Sequence, residues 1–308
     1  MHSRVSRRNS RVSWPRIVLA CALFLLVATV GIAYTRSQLK ASAASVKWTK
    51  VWSADFSGPA GAGVDKAQWL YETGHGKFGN GSIETMTSSP QNVHLSGNDE
   101  LDITAVHQSG LWTSGRLRSV AAFTPPAGGE MQVVASIQQP DPGNGLGYWP
   151  AFWLLGEGIW PEHGEIDILE DVNTLSDHSG AFHCGNLYQK NSDGTLGPCH
   201  EYTGLSSRLQ PCSQCQDGFH TYSVIVDLSN PDDGQIRWYL DGNEFFSVQE
   251  TEVGAATWDE AIDHGFWIIL DLAMGGSYPD QTCHCSAPDR ATSSGGTMRV
   301  RNLAVYRA

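Results

Sequence analysis

The chain has 308 residues, of which 41% are hydrophobic and 17% charged, and its formal net charge is -12. That length holds one large all-β domain or two smaller units, and the acidic balance excludes nucleic acid as a partner, because phosphate binding needs a basic surface. Eleven Trp and 33 Gly suit a turn-rich fold that presents flat aromatic faces to a neutral polysaccharide.

Arg4, Arg7, Arg8, Arg11 and Arg16 precede Ile17 to Tyr34, a run of 18 residues without a charge. The run reaches the lower limit for spanning a bilayer, and Gly31-Ile32-Ala33 and Ala41-Ser42-Ala43 offer small-residue cleavage sites. Residues 1–44 therefore read as a basic export segment with a linker, either a cleaved signal peptide or a membrane anchor through residues 17–34. The basic end stays cytoplasmic, and residues 45–308 lie outside, secreted or held at the outer face of the membrane.

The folded part begins over Lys47 to Asp55. Glu100 to Val106 alternates polar and apolar residues and reads as a half-buried strand, with Met131 to Ile137 and Ala151 to Leu155 as further strands. Pro and Gly from Pro140 to Gly147 separate the last two. Gln235 to Leu240, Asp241-Gly242 and Asn243 to Val248 form the clearest hairpin, because Asp-Gly supplies the positive φ of a tight two-residue turn. One short helix is expected, over Thr257 to Asp263. Many strands with little amphipathic helix predict an all-β sandwich of two sheets.

Cys21 lies in the apolar run, which leaves an even six cysteines in the exported part. An oxidising compartment predicts disulfides, and the expected pairs are Cys184 with Cys199, Cys212 with Cys215, and Cys283 with Cys285. The rival is zinc, since Cys212-x-x-Cys215 and Cys283-His284-Cys285 have ligand-like spacing; an exported protein disfavours it.

Gly164-Glu165-Ile166-Asp167-Ile168-Leu169-Glu170-Asp171 sets carboxylates into a strand-forming run. Side chains alternate across a strand, so Glu165 and Asp167 share a face and Glu170 falls on the other. A β-bulge at Ile168 or Leu169 would return Glu170 to that face, and bulges are common beside active sites. Retaining glycoside hydrolysis uses two carboxyls roughly 5 to 5.5 Å apart. Glu165 and Glu170 would stand about 13 Å apart at Cα, at ~3.3 Å per residue, so their side chains must lean together over Asp167. An exposed acidic edge or a structural cation site is the plain alternative for three acids alone.

Three segments, Gly147-Tyr148-Trp149-Pro150-Ala151-Phe152-Trp153-Leu154-Leu155, Trp160-Pro161 and Gly164 to Glu170, together resemble glycoside hydrolase family 16 in its laminarinase-like branch, with the bulged Glu-x-Asp-x-x-Glu motif. Trp69 with Thr73-Gly74, Thr113-Ser114-Gly115-Arg116, His220 to Phe246 and Phe266 to Tyr306 extend the likeness to roughly residues 48–308. The resemblance implies a concanavalin A-like β-jelly-roll of two antiparallel sheets. It also implies retaining endo-hydrolysis of β-1,3-glucan, or of mixed β-1,3/1,4-glucan, by a monomer without cofactor or catalytic metal. Glu165 is then the nucleophile, Asp167 its assistant and Glu170 the acid and base. Trp153 and Trp160 match sugar-contacting positions, and Trp149 is divided between sugar and core. His183, Asn80, Arg116 and Trp267 match positions along the cleft. The Asn80-Gly81-Ser82 sequon is expected to stay unglycosylated, because a glycan there would obstruct substrate.

The chain departs from the family pattern in three places. Asp271 stands where Leu-Asn-Leu-Ala-x-Gly-Gly has its Asn, and Gly128-Gly129-Glu130-Met131 replaces Gly-Arg-x-Glu, so the contacts of that Arg are lost. Arg301 occupies the position of an acid that holds calcium in many relatives, and it is expected to pair with Asp55 in place of the ion. Rival readings on the same fold are a β-galactan or agar hydrolase, a transglycosylase, and a non-catalytic glucan-binding lectin.

Overall fold

Period-two alternation decides which side chains are buried. In the strand Glu130–Gln138, Met131, Val133, Ala135 and Ile137 are wholly buried while Gln132, Val134 and Ser136 are half-exposed, as a sheet with one covered face requires. The structure, a computed structural model, describes residues 47–283 (for Cys283 the backbone alone) and 287–308. Residues Trp48–Ala308 form one compact unit. The export segment over residues 1–44 and the pairing of Cys283 with Cys285 lie outside the described residues. Among those described, no helix is long and apolar enough to cross a membrane.

Two antiparallel sheets make up the body. The outer sheet runs Asn243–Gln249, Gln235–Leu240, His220–Asp227, Glu130–Gln138, Thr297–Arg307, Leu101–Thr104 and Val93–Leu95, with Thr49–Ala54 also on the strand Thr297–Arg307. The second sheet runs Leu205–Ser206, Asp177–His183, Glu165–Glu170, Tyr148–Gly156, Phe266–Met274, Arg116–Phe123 and Trp69–Tyr71. This is the β-jelly-roll sandwich expected from the sequence. A large aromatic and aliphatic core joins the sheets, with Met131, Val133 and Trp238 from one meeting Phe152, Ile166 and Phe182 from the other.

The hairpin turns as expected, with φ 50° at Asp241 and 76° at Gly242. Cys184–Cys199 and Cys212–Cys215 are disulfides, with Cα atoms 5.3 and 5.7 Å apart. The segment Glu100 to Val106 differs from its expectation. It forms two strands, Leu101–Thr104 in the outer sheet and Val106–Gln108 in a separate four-stranded sheet. Between them Ala105 leaves the ladder and exchanges backbone bonds with Gly295 and Gly296. The expected helix covers Ala255–Ile262, and Glu250–Val253 and Ser277–Cys283 are two further helices. Both are too short to carry a helical period legible in sequence.

The Arg301–Asp55 pair does not form. Arg301 lies opposite Ser136, whereas the first strand meets this one at Ala54 and Leu303, beyond a bulge where Asn302 takes φ 54°. The Arg301 guanidinium lies 3.8 Å over the Phe219 ring and 4.0 Å from Glu100, while Asp55 accepts hydrogen bonds from Ser57.

One contact ties the outer sheet to the carboxylate strand. The indole of Trp238, fully buried, donates a 2.7 Å hydrogen bond to the backbone carbonyl of Asp167. The ring fits because Gly180 has no side chain: a Cβ there would stand 2.6 Å from the indole. Gly180→Ala should therefore displace the indole and lower the melting temperature. A loss of about 1–3 kcal/mol follows from the unpaired buried carbonyl, which thermal unfolding of the two proteins measures.

Candidate active site

Gly164, at φ 73°, opens the carboxylate strand, and a Cβ there would collide with the backbone carbonyl of Ala261. Along the strand, Glu165 faces Leu155, Asp167 faces Trp153, Leu169 faces Phe152 and Glu170 faces Ala151, so Ile168 has no partner on that side. Toward the other neighbour, Asp167 pairs with Ala181 and Glu170 with Ser179, three steps against two. The extra residue is the bulge the sequence called for, and it turns Glu170 onto the face of Glu165 and Asp167.

That face is the floor of an open cleft of about 1210 Å³. Glu165, Asp167, Glu170, Asn80, Arg116, Trp149, Trp153, Trp160 and His183 all line it. Trp267 does not. It shares the face of Asp271 two residue pairs along, but the Arg118 guanidinium covers its ring at 4.4 Å and is itself held 3.0 Å from Glu72.

The tryptophans on the floor are hydrogen-bond donors as well as ring surfaces. Trp149 Nε1 donates to Glu170 Oε1 at 2.9 Å, and Trp153 Nε1 donates to Asp271 Oδ1 at 2.8 Å. Trp160 instead stacks on Tyr202, with centroids 6.0 Å and planes 14° apart, and so leaves an aromatic platform at the cleft wall. Arg116 is enclosed by Glu72 at 2.7 Å, by Asp271 at 3.8 Å and by the rings of Phe78 and Trp153. Asn80 uses its side-chain oxygen to accept from Ser82, which fixes the loop that carries it.

Sequence reading missed Glu201 and Tyr202, and it places Tyr278 beside the Leu270 to Gly276 stretch without a role. Glu201 is buried and its Oε2 lies 2.7 Å from His183 Nδ1. Tyr278 packs on Trp149, and its hydroxyl pairs with Ser179. Glu201 and Tyr202 lie on an irregular loop, where no periodicity marks the inward residue. The one sequence signal was their position just beyond Cys199, whose disulfide returns the loop to Cys184 beside His183.

Burial dominates the electrostatics. It raises the proton affinity of Glu170 well above the ordinary carboxyl range, and the Asp167 charge raises it further against the opposing Trp149 hydrogen bond. Burial and then Asp167 push Glu165 up to about 8. Burial alone would lower the pKa of His183, but the Asp167 and Glu201 carboxylates beside it outweigh burial and raise it well above the ordinary imidazole value. Asp271 is raised by burial, with Arg116 opposing. The shift of Glu170 is in the direction a general acid needs.

Two groups of side chains have ligand atoms within 4.8 Å of one another, Cys212 with Cys215 and His220, and Glu165 with Asp167 and His183. The first does not suit a metal, because its two cysteines are joined and cannot supply thiolates. In the second, His183 turns Nδ1 to Glu201 and Nε2 to Asp167 and Glu165.

Residues 82–217 match the family model described as the XgeA-like, catalytic GH16 domain. The solved endo-1,3-β-glucanase from Streptomyces sioyaensis is 39% identical and superposes with a TM-score of 0.77, covering 87% of this chain and 99% of that one. An endo-β-1,3-glucanase from Pyrococcus furiosus is 29% identical at a TM-score of 0.67, covering 85% and 95%. Glucan endo-1,3-beta-glucosidase A1 from Niallia circulans is 25% identical over 83% of this chain, which spans only 37% of that longer protein.

Raised carboxyl pKa values also predict how stability varies with pH. Between about 4.5 and about 8 the folded protein holds a proton on Glu165 that the unfolded chain has released. Folding therefore takes up a proton in that window, and the contribution of this group to stability falls as pH rises through it. Glu165→Gln and Glu170→Gln should each raise the melting temperature near pH 8, by roughly 2–4 °C per kcal/mol recovered. Near pH 4 the difference should disappear, and calorimetry across this range checks both limits.

Proposed function

The chain belongs to glycoside hydrolase family 16, and from this premise we propose that it is a retaining endo-β-1,3-glucanase, with mixed β-1,3/1,4-glucan as a related substrate. The observation that carries the reading is the bulge, which brings Glu165, Asp167 and Glu170 to one cleft floor with a hydrogen-bond donor on Glu170. Glu165 attacks the anomeric carbon and Glu170 protonates the leaving oxygen. Water then enters with Glu170 as base and releases the glycosyl-enzyme with net retention. Asp167 lies between the two glutamates and its charge raises the proton affinity of both, which suits Glu170 as acid; at the nucleophile Glu165, His183 counters it.

The aromatic platform of Trp160 and Tyr202 offers ring faces to the C–H side of a sugar. Four carboxyls, Glu165, Asp167, Glu170 and Asp271, line the cleft against two arginines, Arg116 and Arg208. The net charge of -12 on the chain favours a neutral glucan over a sulfated galactan. The buried acids favour an enzyme over a glucan-binding lectin, because sugar binding alone gives no reason to hold carboxyls of raised proton affinity at the cleft floor. We assign the catalytic domain to residues 45–308 and place it outside the membrane, secreted or anchored through residues 17–34. The two disulfides support an oxidising compartment.

Product analysis on laminarin, mixed-linkage glucan, agarose and carrageenan tests the substrate, with oligosaccharides expected from the first two. Glu165→Ala should abolish turnover on all of them. Glu170→Ala should still be glycosylated slowly by activated aryl glycosides, which need no acid. Added azide should rescue both, giving an α-glycosyl azide with the first variant and a β-glycosyl azide with the second. Wild-type activity in Glu165→Ala would remove the nucleophile assignment.

A further inference from the structure

His183 is held on several sides. Its Nδ1 lies 2.7 Å from Glu201 Oε2, and Glu201 Oε1 accepts a 3.1 Å hydrogen bond from the backbone N–H of Cys184, so one carboxylate grips two consecutive residues. The Trp160 ring stands 5.8 Å away, and a Cβ on Gly204 would come within 3.0 Å of the imidazole, which makes that glycine a tight wall. The remaining ring nitrogen, Nε2, points into the cleft, 3.3 Å from Asp167 Oδ2 and 3.8 Å from Glu165 Oε1.

Glu201 is fixed as firmly as its target. Its side chain has no exposed surface. Its backbone exchanges two hydrogen bonds with Leu196, at 2.6 and 3.2 Å, and the Cys184–Cys199 disulfide closes the loop beside it.

We propose that Glu201 is a positioning residue for the glucanase reaction, holding His183 so that its Nε2–H faces Asp167 and Glu165 as a fixed positive charge beside the nucleophile. The inference rests on the catalytic reading above. A carboxylate behind an imidazole fixes the ring orientation and favours the charged form, as a second-layer carboxylate does behind a metal-bound histidine. The groups facing the imidazole are Glu165 and Asp167 from the adjacent strand and Glu201 from the loop, and Glu170 and Arg116 act on the same cluster from farther away. Three acids on one face repel, so the nucleophile ionises with difficulty unless a cation stands among them. His183 eases the ionisation of Glu165 and Glu170, the direction found for its effect on both.

A neutral amide at position 201 would leave the ring in place and remove its charge partner. In Glu201→Gln, the acid limb of the kcat/KM profile on laminarin should move to higher pH by up to about one unit, because losing the His183 charge outweighs relief of the smaller repulsion of Glu165 by Glu201. Glu201→Asp, which keeps the charge on a shorter arm, should lie between Gln and wild type. Nitrogen-15 NMR of the imidazole supplies a readout independent of turnover. His183 should stay doubly protonated through neutral pH in the wild type and titrate within the assay range in Glu201→Gln. An unmoved acid limb in an active Glu201→Gln enzyme would overturn the proposal. So would a wild-type His183 that titrates near 6.5, a result available even if the Gln variant does not fold. If the wild type leaves glucan intact, the catalytic reading fails, while the imidazole titration still decides whether Glu201 sustains the charge.

Discussion

The bond from the Trp238 indole to the Asp167 carbonyl is the constraint on which the cleft depends. A bulge interrupts the ladder between strands, and the backbone there needs partners from elsewhere. Here one partner crosses the sandwich from the opposite sheet. The donor sits on the strand Gln235–Leu240, whose hairpin turn and core packing are set far from any sugar. Gly180 leaves the opening through which the ring reaches the strand. The placement of Glu170 is thus a property of both sheets.

A second constraint is electrical. Glu165, Asp167, Glu170 and Asp271 share a floor with little access to water, and burial makes each new negative charge costly. The fold answers with donors aimed at individual oxygens. Trp149 holds Glu170, Trp153 and Arg116 hold Asp271, and His183 faces Glu165 and Asp167. The substitution of Asp for the family's Asn at position 271 is absorbed in this way, since an acceptor oxygen is what the Trp153 indole requires.

Much of this was legible in the chain. Alternation located the long strands, Asp241-Gly242 located the hairpin, and the count between Glu165 and Glu170 required a bulge, because a period of two admits no other way to bring both to one face. The illegible parts depend on contacts between distant segments. Nothing in Phe266 to Met274 says that Arg118 will cover Trp267, and nothing in the last strand says that a bulge at Asn302 will carry Arg301 to Phe219 and away from Asp55. Glu201 was hidden for the same reason. Its loop has no period, and its partner lies 18 residues earlier.

Glu201 and Tyr202 are consecutive residues that face opposite ways, the first turned inward to His183 and the second outward against Trp160. Protein engineers often exchange such loops between homologues to change which polysaccharide is recognised, treating the loop as a module separate from the chemistry. In this enzyme the segment between Cys184 and Gly204 cannot be traded that way. A graft that brings a different sugar-contacting ring must also supply a carboxylate at position 201, or His183 loses the partner that holds its Nδ1.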